Sequence, residues 1–112
     1  MKYSKLVRDK IPAVIESQNK SALYKILTDS EYKQALENKL DEEVAEFHES
    51  KNVEELADIL EVVEALSTVY AKRAKVHFVK ARKRRNRGGF SKKIFLVEVD
   101  DEVVTENNYT EE

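Results

Sequence analysis

The chain has 112 residues, of which 38% are charged, yet its formal net charge is only -2. Its length corresponds to one domain, and the absence of cysteine excludes disulfides and thiolate metal sites. No apolar run approaches the roughly 20 residues that cross a bilayer, and the N-terminus lacks the apolar core of a signal peptide, so we expect a cytoplasmic protein without a membrane partner.

Opposite charges are segregated along the chain. Residues 41–64 include ten acidic residues, whereas residues 65–97 include none and contain a dense basic run. Blocks of opposite charge favour separate sites, such as a metal site and a site for a polyanion.

The first predicted elements are short. Pro12 is suited to the first turn of a helix, so we predict one over residues 12–18. Residues 22–27 are mostly apolar and could form a short extended segment.

Two long helices should follow. Thr28 and Glu31 form a capping-box pattern, which predicts a helix that ends near Ser50. Asn52 is a suitable N-cap for the next helix, over residues 53–71. Because only a few residues connect the two helices, they should be antiparallel neighbours.

The C-terminal third should contain one helix and one extended segment. A further helix, starting at 72 or 74, should end at Gly88, since glycine readily adopts the left-handed conformation. Residues 94–99 read as a strand or an extended arm that needs a partner, either residues 22–27 or another subunit. We place the domain over residues 1–104 and expect the polar tail, 105–112, to be disordered.

The predicted fold is therefore all-α. It is a helix bundle with antiparallel long helices, and it carries a short C-terminal extended arm or strand. A domain of this size buries only about two-thirds of the surface that its unfolded chain exposes. We expect a second copy to complete the bundle, in a homodimer or a homotetramer.

An acidic residue interrupts the apolar face of each long helix. At about 100° per residue, Glu43 falls on the stripe formed by Leu36, Leu40 and Phe47, and Glu46 lies on its flank.

The second long helix repeats this arrangement. Glu55 lies on the stripe of Ile59, Val62 and Leu66, with Asp58 one turn beyond it.

These four carboxylates need compensation, because burying an unpaired ionised carboxylate is costly. Protonation could relieve one or two of them, and Lys39 is the nearest cation in the sequence. A hard divalent cation could satisfy all four through oxygen ligands. The alternative is that the acids lie on a solvated edge. That alternative is the preferred assignment for the exposed helix charges Glu49, Glu54, Glu61 and Glu64.

The same residues carry a family resemblance. Residues 42–46 read EEVAE, which matches an EExxE pattern, and residues 55–58 read ELAD, which matches ExxD. The pair resembles the metal signature of the MazG-like, all-alpha nucleoside triphosphate pyrophosphohydrolases. Residues 5–12, KLVRDKIP, and 87–90, RGGF, are similar to a subgroup labelled phosphoribosyl-ATP pyrophosphohydrolase-like.

The resemblance implies a function and a site. It implies a helical oligomer that cleaves a nucleotide between its alpha and beta phosphates, giving a monophosphate and pyrophosphate. A house-cleaning role and a metabolic or phage-related role both stay open. It implies Mg²⁺, which Mn²⁺ could replace, held by Glu43, Glu46, Glu55 and Asp58. Glu42 would be a ligand or would position the attacking water. The base and the sugar of the substrate are left open.

Catalytic and phosphate-binding residues complete the prediction. We expect Glu42 or Glu46 to take the proton of the attacking water. Basic side chains, above all arginine with its bidentate geometry, should bind the substrate phosphates. The candidates are Arg8, Lys10, Lys39, Arg82, Arg85, Arg87 and Lys93. For Arg8 and Lys10 the alternative is an ordinary surface salt bridge, for example with Asp9.

Two other functions compete with hydrolysis. The basic segment, residues 80–93, resembles an arginine-rich RNA-binding helix, although the acidic overall charge makes nucleic acid a less expected partner. A plain helical dimerisation module or a toxin-regulating partner is the third possibility. The hydrolase requires the four acids, the RNA binder requires only the basic run, and the dimerisation module requires neither.

Overall fold

The computed structural model describes residues 4–100. The predicted boundary at residue 104 and the predicted disordered tail, 105–112, lie outside these residues. Within them the chain is all-helical and contains no strand, which confirms the predicted all-α class. The helices are α1 (Ile11–Ser17), α2 (Asp29–Ser50), α3 (Val53–Tyr70) and α4 (Arg73–Arg87).

Helix α2 begins at the predicted capping box. The backbone N–H of Glu31 donates to the Thr28 hydroxyl oxygen at 3.2 Å, and the N–H of Thr28 donates to the Glu31 carboxylate at 3.0 Å. Two otherwise unpaired donors of the first turn are thereby satisfied. The helix ends at Lys51, which adopts the left-handed conformation with φ 55°.

Helix α3 follows after Lys51 and Asn52. The Asn52 side chain accepts a hydrogen bond from the N–H of Glu54 at 2.8 Å, as an N-cap does. Such a short connection makes α2 and α3 an antiparallel hairpin. At the far end of this hairpin the Tyr70 hydroxyl donates to Glu37, and the Lys33 ammonium lies 4.4 Å from the centre of the Tyr70 ring.

The hairpin buries very little apolar surface. Among the described residues, Leu36 at 2% exposure and Val62 at 8% are the buried hydrophobic residues. On α3, Leu56, Leu60 and Val63 recur at i, i+4 and i+7, and all three are exposed. This exposed apolar stripe of α3 lies beside the face that packs on α2.

The chain divides into two compact units after Arg73. The second unit contains most of α4, which ends as predicted at Gly88. There φ is +82°, and the Gly88 N–H donates to the Arg84 carbonyl at 2.8 Å.

For residues 94–99 a strand or an extended arm was predicted, and the strand is not found. These residues form neither helix nor strand, and Phe95 and Val97 are 87% and 85% exposed. Residues 22–27, the predicted partner segment, also form no strand. A strand requires backbone hydrogen bonds to a neighbouring strand, and the described residues offer none, so the β-favouring composition of these segments does not decide their structure.

None of the described helices is long and apolar enough to span a membrane.

Candidate metal centre

Five carboxylates of the hairpin converge near its connection. Single oxygen atoms of Glu43, Glu55 and Asp58 lie within 4.8 Å of one another, and the same is true of Glu42, Glu43 and Glu46. Glu43 belongs to both trios. We refer to the five residues as the acidic cluster.

The hairpin geometry explains this convergence. The short connection brings the last turns of α2 opposite the first turns of α3. Glu43 faces α3 because it shares the stripe of Leu36, which is buried. The predicted helix phase is thus confirmed for Glu43, which is 5% exposed, whereas the ligand roles of the four acids stay predictions.

Glu43 is the most deeply buried member of the cluster, and the environment of its carboxylate is unfavourable. Its Oε1 lies 3.4 Å from the Lys39 ammonium, but its Oε2 is buried without a hydrogen-bond partner. Burial, followed by the nearby Glu46 carboxyl group, raises the pKa of Glu43. The two carboxyl groups can share a hydrogen bond only when one of them is protonated.

The arrangement around Glu43 fits a cation. A buried carboxylate oxygen without a partner is unfavourable, and a metal ion would remove that cost by accepting its lone pair. The surrounding donors are carboxylate oxygens, which Mg²⁺ and Ca²⁺ prefer.

The other members differ in how they are compensated. Burial opposes ionisation of Glu42, but hydrogen bonds from Lys5 and Lys39, both at 3.3 Å, lower its pKa. Burial, with the negative charges of Glu46 and Glu43 after it, raises the pKa of Glu55.

Arg8 reaches the cluster from the N-terminal segment. Its Nη2 donates to Oδ1 of Asp58 at 2.7 Å, and its Nη1 lies 4.0 Å from Glu61. The hydrogen bond to Asp58 holds the pKa of Arg8 above its usual value. Arg8 therefore pairs with a predicted metal ligand. The predicted alternative for this residue, an ordinary surface salt bridge, is found, but its partner is Asp58 and not Asp9.

Two contacts were missed by sequence analysis. These are the contact of Lys5 with Glu42 and the contact of Arg8 with Glu61, and both join residues far apart in the chain. Lys5 lies within the KLVRDKIP motif, but no spacing rule connects that motif to α2 or α3. Lys10 of the same motif is exposed, and its side chain makes no ion pair among the described residues.

The remaining predicted phosphate-binding residues belong to the second unit. Arg82, Arg85, Arg87 and Lys93 are all exposed there, and the Arg82 guanidinium lies 6.0 Å from the centre of the Phe78 ring. A Cβ added to Gly89 would come within 3.5 Å of the Arg84 guanidinium, which packs against this turn.

Comparisons with known proteins give little further information. No family model matches the chain, and no solved structure matches it. A stretch of 43 residues is 49% identical to an uncharacterized protein of Mycolicibacterium smegmatis (strain ATCC 700084 / mc(2)155). The match covers 38% of this chain and 44% of that protein, so it spans less than half of either.

Proposed function

We propose that this protein is a magnesium-dependent nucleotide pyrophosphohydrolase. It would cleave the alpha-beta phosphoanhydride of a nucleoside triphosphate or a related nucleotide, giving a monophosphate and pyrophosphate. The observation that carries the proposal is the buried, unpartnered Oε2 of Glu43 among four further carboxylates. The EExxE and ExxD patterns, which resemble those of the MazG-like hydrolases, supply the reaction class.

Glu43, Glu46, Glu55 and Asp58 are the residues that would hold Mg²⁺, with Mn²⁺ as a substitute. When bound, such an ion neutralises phosphate charge and favours in-line attack by water. Five carboxylates face the three cations Lys5, Arg8 and Lys39, and Arg8 also lies 4.0 Å from Glu61, so the ionised cluster carries a net negative charge. A divalent ion would offset that charge.

Glu46 is the better candidate for the general base. Glu42 accepts hydrogen bonds from two ammonium groups, and its lowered pKa makes it a weaker base. In the proposed reaction a water oxygen bonds to the alpha phosphorus while the bond to the bridging oxygen breaks. Glu46 accepts the proton of the water, and pyrophosphate leaves.

Cations of the protein would orient the phosphates. In the first unit these are Arg8, whose guanidinium carries further N–H groups beyond its bond to Asp58, and Lys39. The phosphate-binding role predicted for Arg82, Arg85, Arg87 and Lys93, which belong to the second unit, stays a prediction.

We also propose a homodimer or a homotetramer. The exposed apolar stripe of α3 and the small number of buried residues leave a face that a second copy of the hairpin would cover. A cavity of about 80 Å³ between α2 and residues 4–6 is much smaller than the roughly 300 Å³ of a small-molecule pocket. This cavity alone is too small to hold the base of the nucleotide, for which a second copy would supply further surface. A cytoplasmic, house-cleaning role fits this proposal.

The test is pyrophosphate release from a panel of nucleoside triphosphates, with magnesium and with a chelator. Glu43→Gln should lose at least about a hundredfold in rate, because it weakens binding of the ion, which contributes several kcal/mol of charge stabilisation in the transition state. Glu49→Gln removes an exposed carboxylate of the same helix and is the matched control. Absence of release from every nucleotide by folded wild-type protein would contradict the proposal.

RNA binding is a second candidate function, favoured by one observation. Helix α4 contains eight Lys or Arg residues and no acid, and its basic side chains are exposed. Like charges along a helix repel each other, and a phosphate backbone would relieve that repulsion.

Anisotropy of a labelled RNA hairpin at increasing salt tests RNA binding. Binding should weaken steeply with salt, and the double variant Arg82→Gln, Arg85→Gln should reduce the salt slope by about two. The double variant Lys20→Gln, Lys25→Gln controls for net charge. An equal loss of RNA affinity in both double variants would count against a specific role of α4.

A further inference from the structure

We infer that Lys5 and Arg8, carried by residues 4–10, occupy the two cation positions of the acidic cluster and leave them when divalent cations bind. We call residues 4–10 the N-terminal strap. The inference rests on the proposed metal site and adds a device that regulates its occupancy.

The strap places one cation on each carboxylate trio. Lys5 contacts Glu42 at 3.3 Å, in the trio that contains Glu46. Arg8 contacts Asp58 at 2.7 Å, in the trio that contains Glu55. The two trios share only Glu43, so each trio has its own strap cation, which a metal ion would replace.

Charge balance connects the strap to the number of metal ions. With the strap in place, three cations face the acidic cluster. Without Lys5 and Arg8, the cluster faces only Lys39, and its net charge is more negative by two. That difference equals the charge of one divalent ion, so release of the strap favours the binding of one more ion.

The strap cations are held weakly enough to exchange. The side chains of Lys5 and Arg8 are 51% and 57% exposed, and such solvent-exposed pairs contribute little to stability. Lys39 differs, because it belongs to α2 itself and its side chain is only 21% exposed. It should remain on Glu42 and Glu43 while the strap cations leave.

Release of the strap would have a consequence for substrate binding. Arg8 would exchange a carboxylate partner for the phosphates of the nucleotide, to which its planar guanidinium can donate two parallel hydrogen bonds. Arg8 is then a positioning residue whose availability depends on bound metal.

Calorimetric titration with magnesium chloride, without nucleotide, tests the exchange. Lys5→Gln and Arg8→Gln should each bind Mg²⁺ about two- to fivefold more tightly than wild type, because a competing exposed ion pair has been removed. Lys10→Gln removes a charge from the same strap that makes no ion pair among the described residues. Its Mg²⁺ affinity should change by less than about 1.5-fold.

A second readout follows the strap in the wild-type protein. Acetylation of lysines with a limiting reagent, mapped by mass spectrometry, should be faster at Lys5 with magnesium than with a chelator, and unchanged at Lys10. Weaker or unchanged Mg²⁺ binding in Arg8→Gln, or equal Lys5 reactivity in both conditions, would overturn the strap and leave the proposed hydrolase standing. Absence of Mg²⁺ binding in the wild type and in every variant would overturn both.

Discussion

The α2–α3 hairpin and helix α4 are both densely charged, but their charges are arranged differently. In the hairpin, acidic side chains lie on the packed face, and Glu43 is 5% exposed. In α4 the basic residues are distributed around the whole helix, and none is buried. A charged side chain that the fold packs against other groups points to a function, because a buried charge must be compensated by specific partners.

This contrast decides which function each region supports. The hairpin holds a few carboxylates at fixed separations, as a metal site requires. Helix α4 presents many exposed cations to solvent, which suits a polyanion recognised through its phosphates.

The largest expected effect is on the hairpin core. Leu36→Ala should lower the free energy of unfolding by about 3 kcal/mol, because Leu36 is 2% exposed and its removal leaves a cavity. Phe78→Ala in α4, where the ring is 62% exposed, should cost less than about 1 kcal/mol. Urea unfolding measures both, and equal losses would show that α4 is packed as tightly as the hairpin.

Glu43→Gln should have the opposite effect on stability in metal-free protein. At neutral pH the variant should be more stable than wild type by about 1 kcal/mol, because a buried carboxylate with one oxygen that lacks a partner is replaced by an uncharged amide. The raised pKa of Glu43 means that the folded wild type binds this proton more tightly than the unfolded chain does. The stability of the wild type relative to the variant should therefore rise as pH falls through that raised pKa.

Chelator-treated samples melted between pH 7.5 and 5 provide the measurement. The melting temperature of Glu49→Gln, the exposed control, should equal that of the wild type across this pH range. A metal-free Glu43→Gln protein that is less stable than wild type at pH 7.5 would show that the carboxylate is already well compensated.

Loss of the capping box should have an effect of similar or smaller size. Thr28→Ala should destabilise the protein by about 1 kcal/mol, because the N–H of Glu31 loses its acceptor. Thr28→Ser retains the hydroxyl and should recover most of the loss. Helix content by circular dichroism during thermal unfolding follows both variants.

The smallest effect is expected in α4. Arg85→Gln should change the free energy of unfolding by no more than about 0.5 kcal/mol, since the side chain is exposed. At low salt the change should be stabilising, because a repulsive charge is removed. A clear destabilisation in chemical denaturation would reveal a packing role that the described contacts do not include.

The sequence was sufficient to predict the helices that carry local signals. Thr28, Asn52 and Gly88 mark helix ends through short-range hydrogen bonds and backbone conformation, and the structure confirms all three. The burial of Glu43 was also predictable, because helical periodicity depends only on neighbouring residues.

The sequence was insufficient where partners lie far apart in the chain. Residues 94–99 favour a strand by composition, yet no strand forms without a pairing edge. The contact of Arg8 with Asp58 joins residues 50 positions apart, and no local pattern encodes it. Lys5 was missed for the same reason, although it lies within the KLVRDKIP motif.

The most direct test of the proposed reaction is identification of the bond that is cleaved. Phosphorus NMR of a nucleoside triphosphate incubated with the wild-type protein and magnesium should show monophosphate and pyrophosphate appearing in equal amounts. Glu43→Gln should show neither product. Appearance of a nucleoside diphosphate with inorganic phosphate, or of no product with any nucleotide, would contradict the assignment.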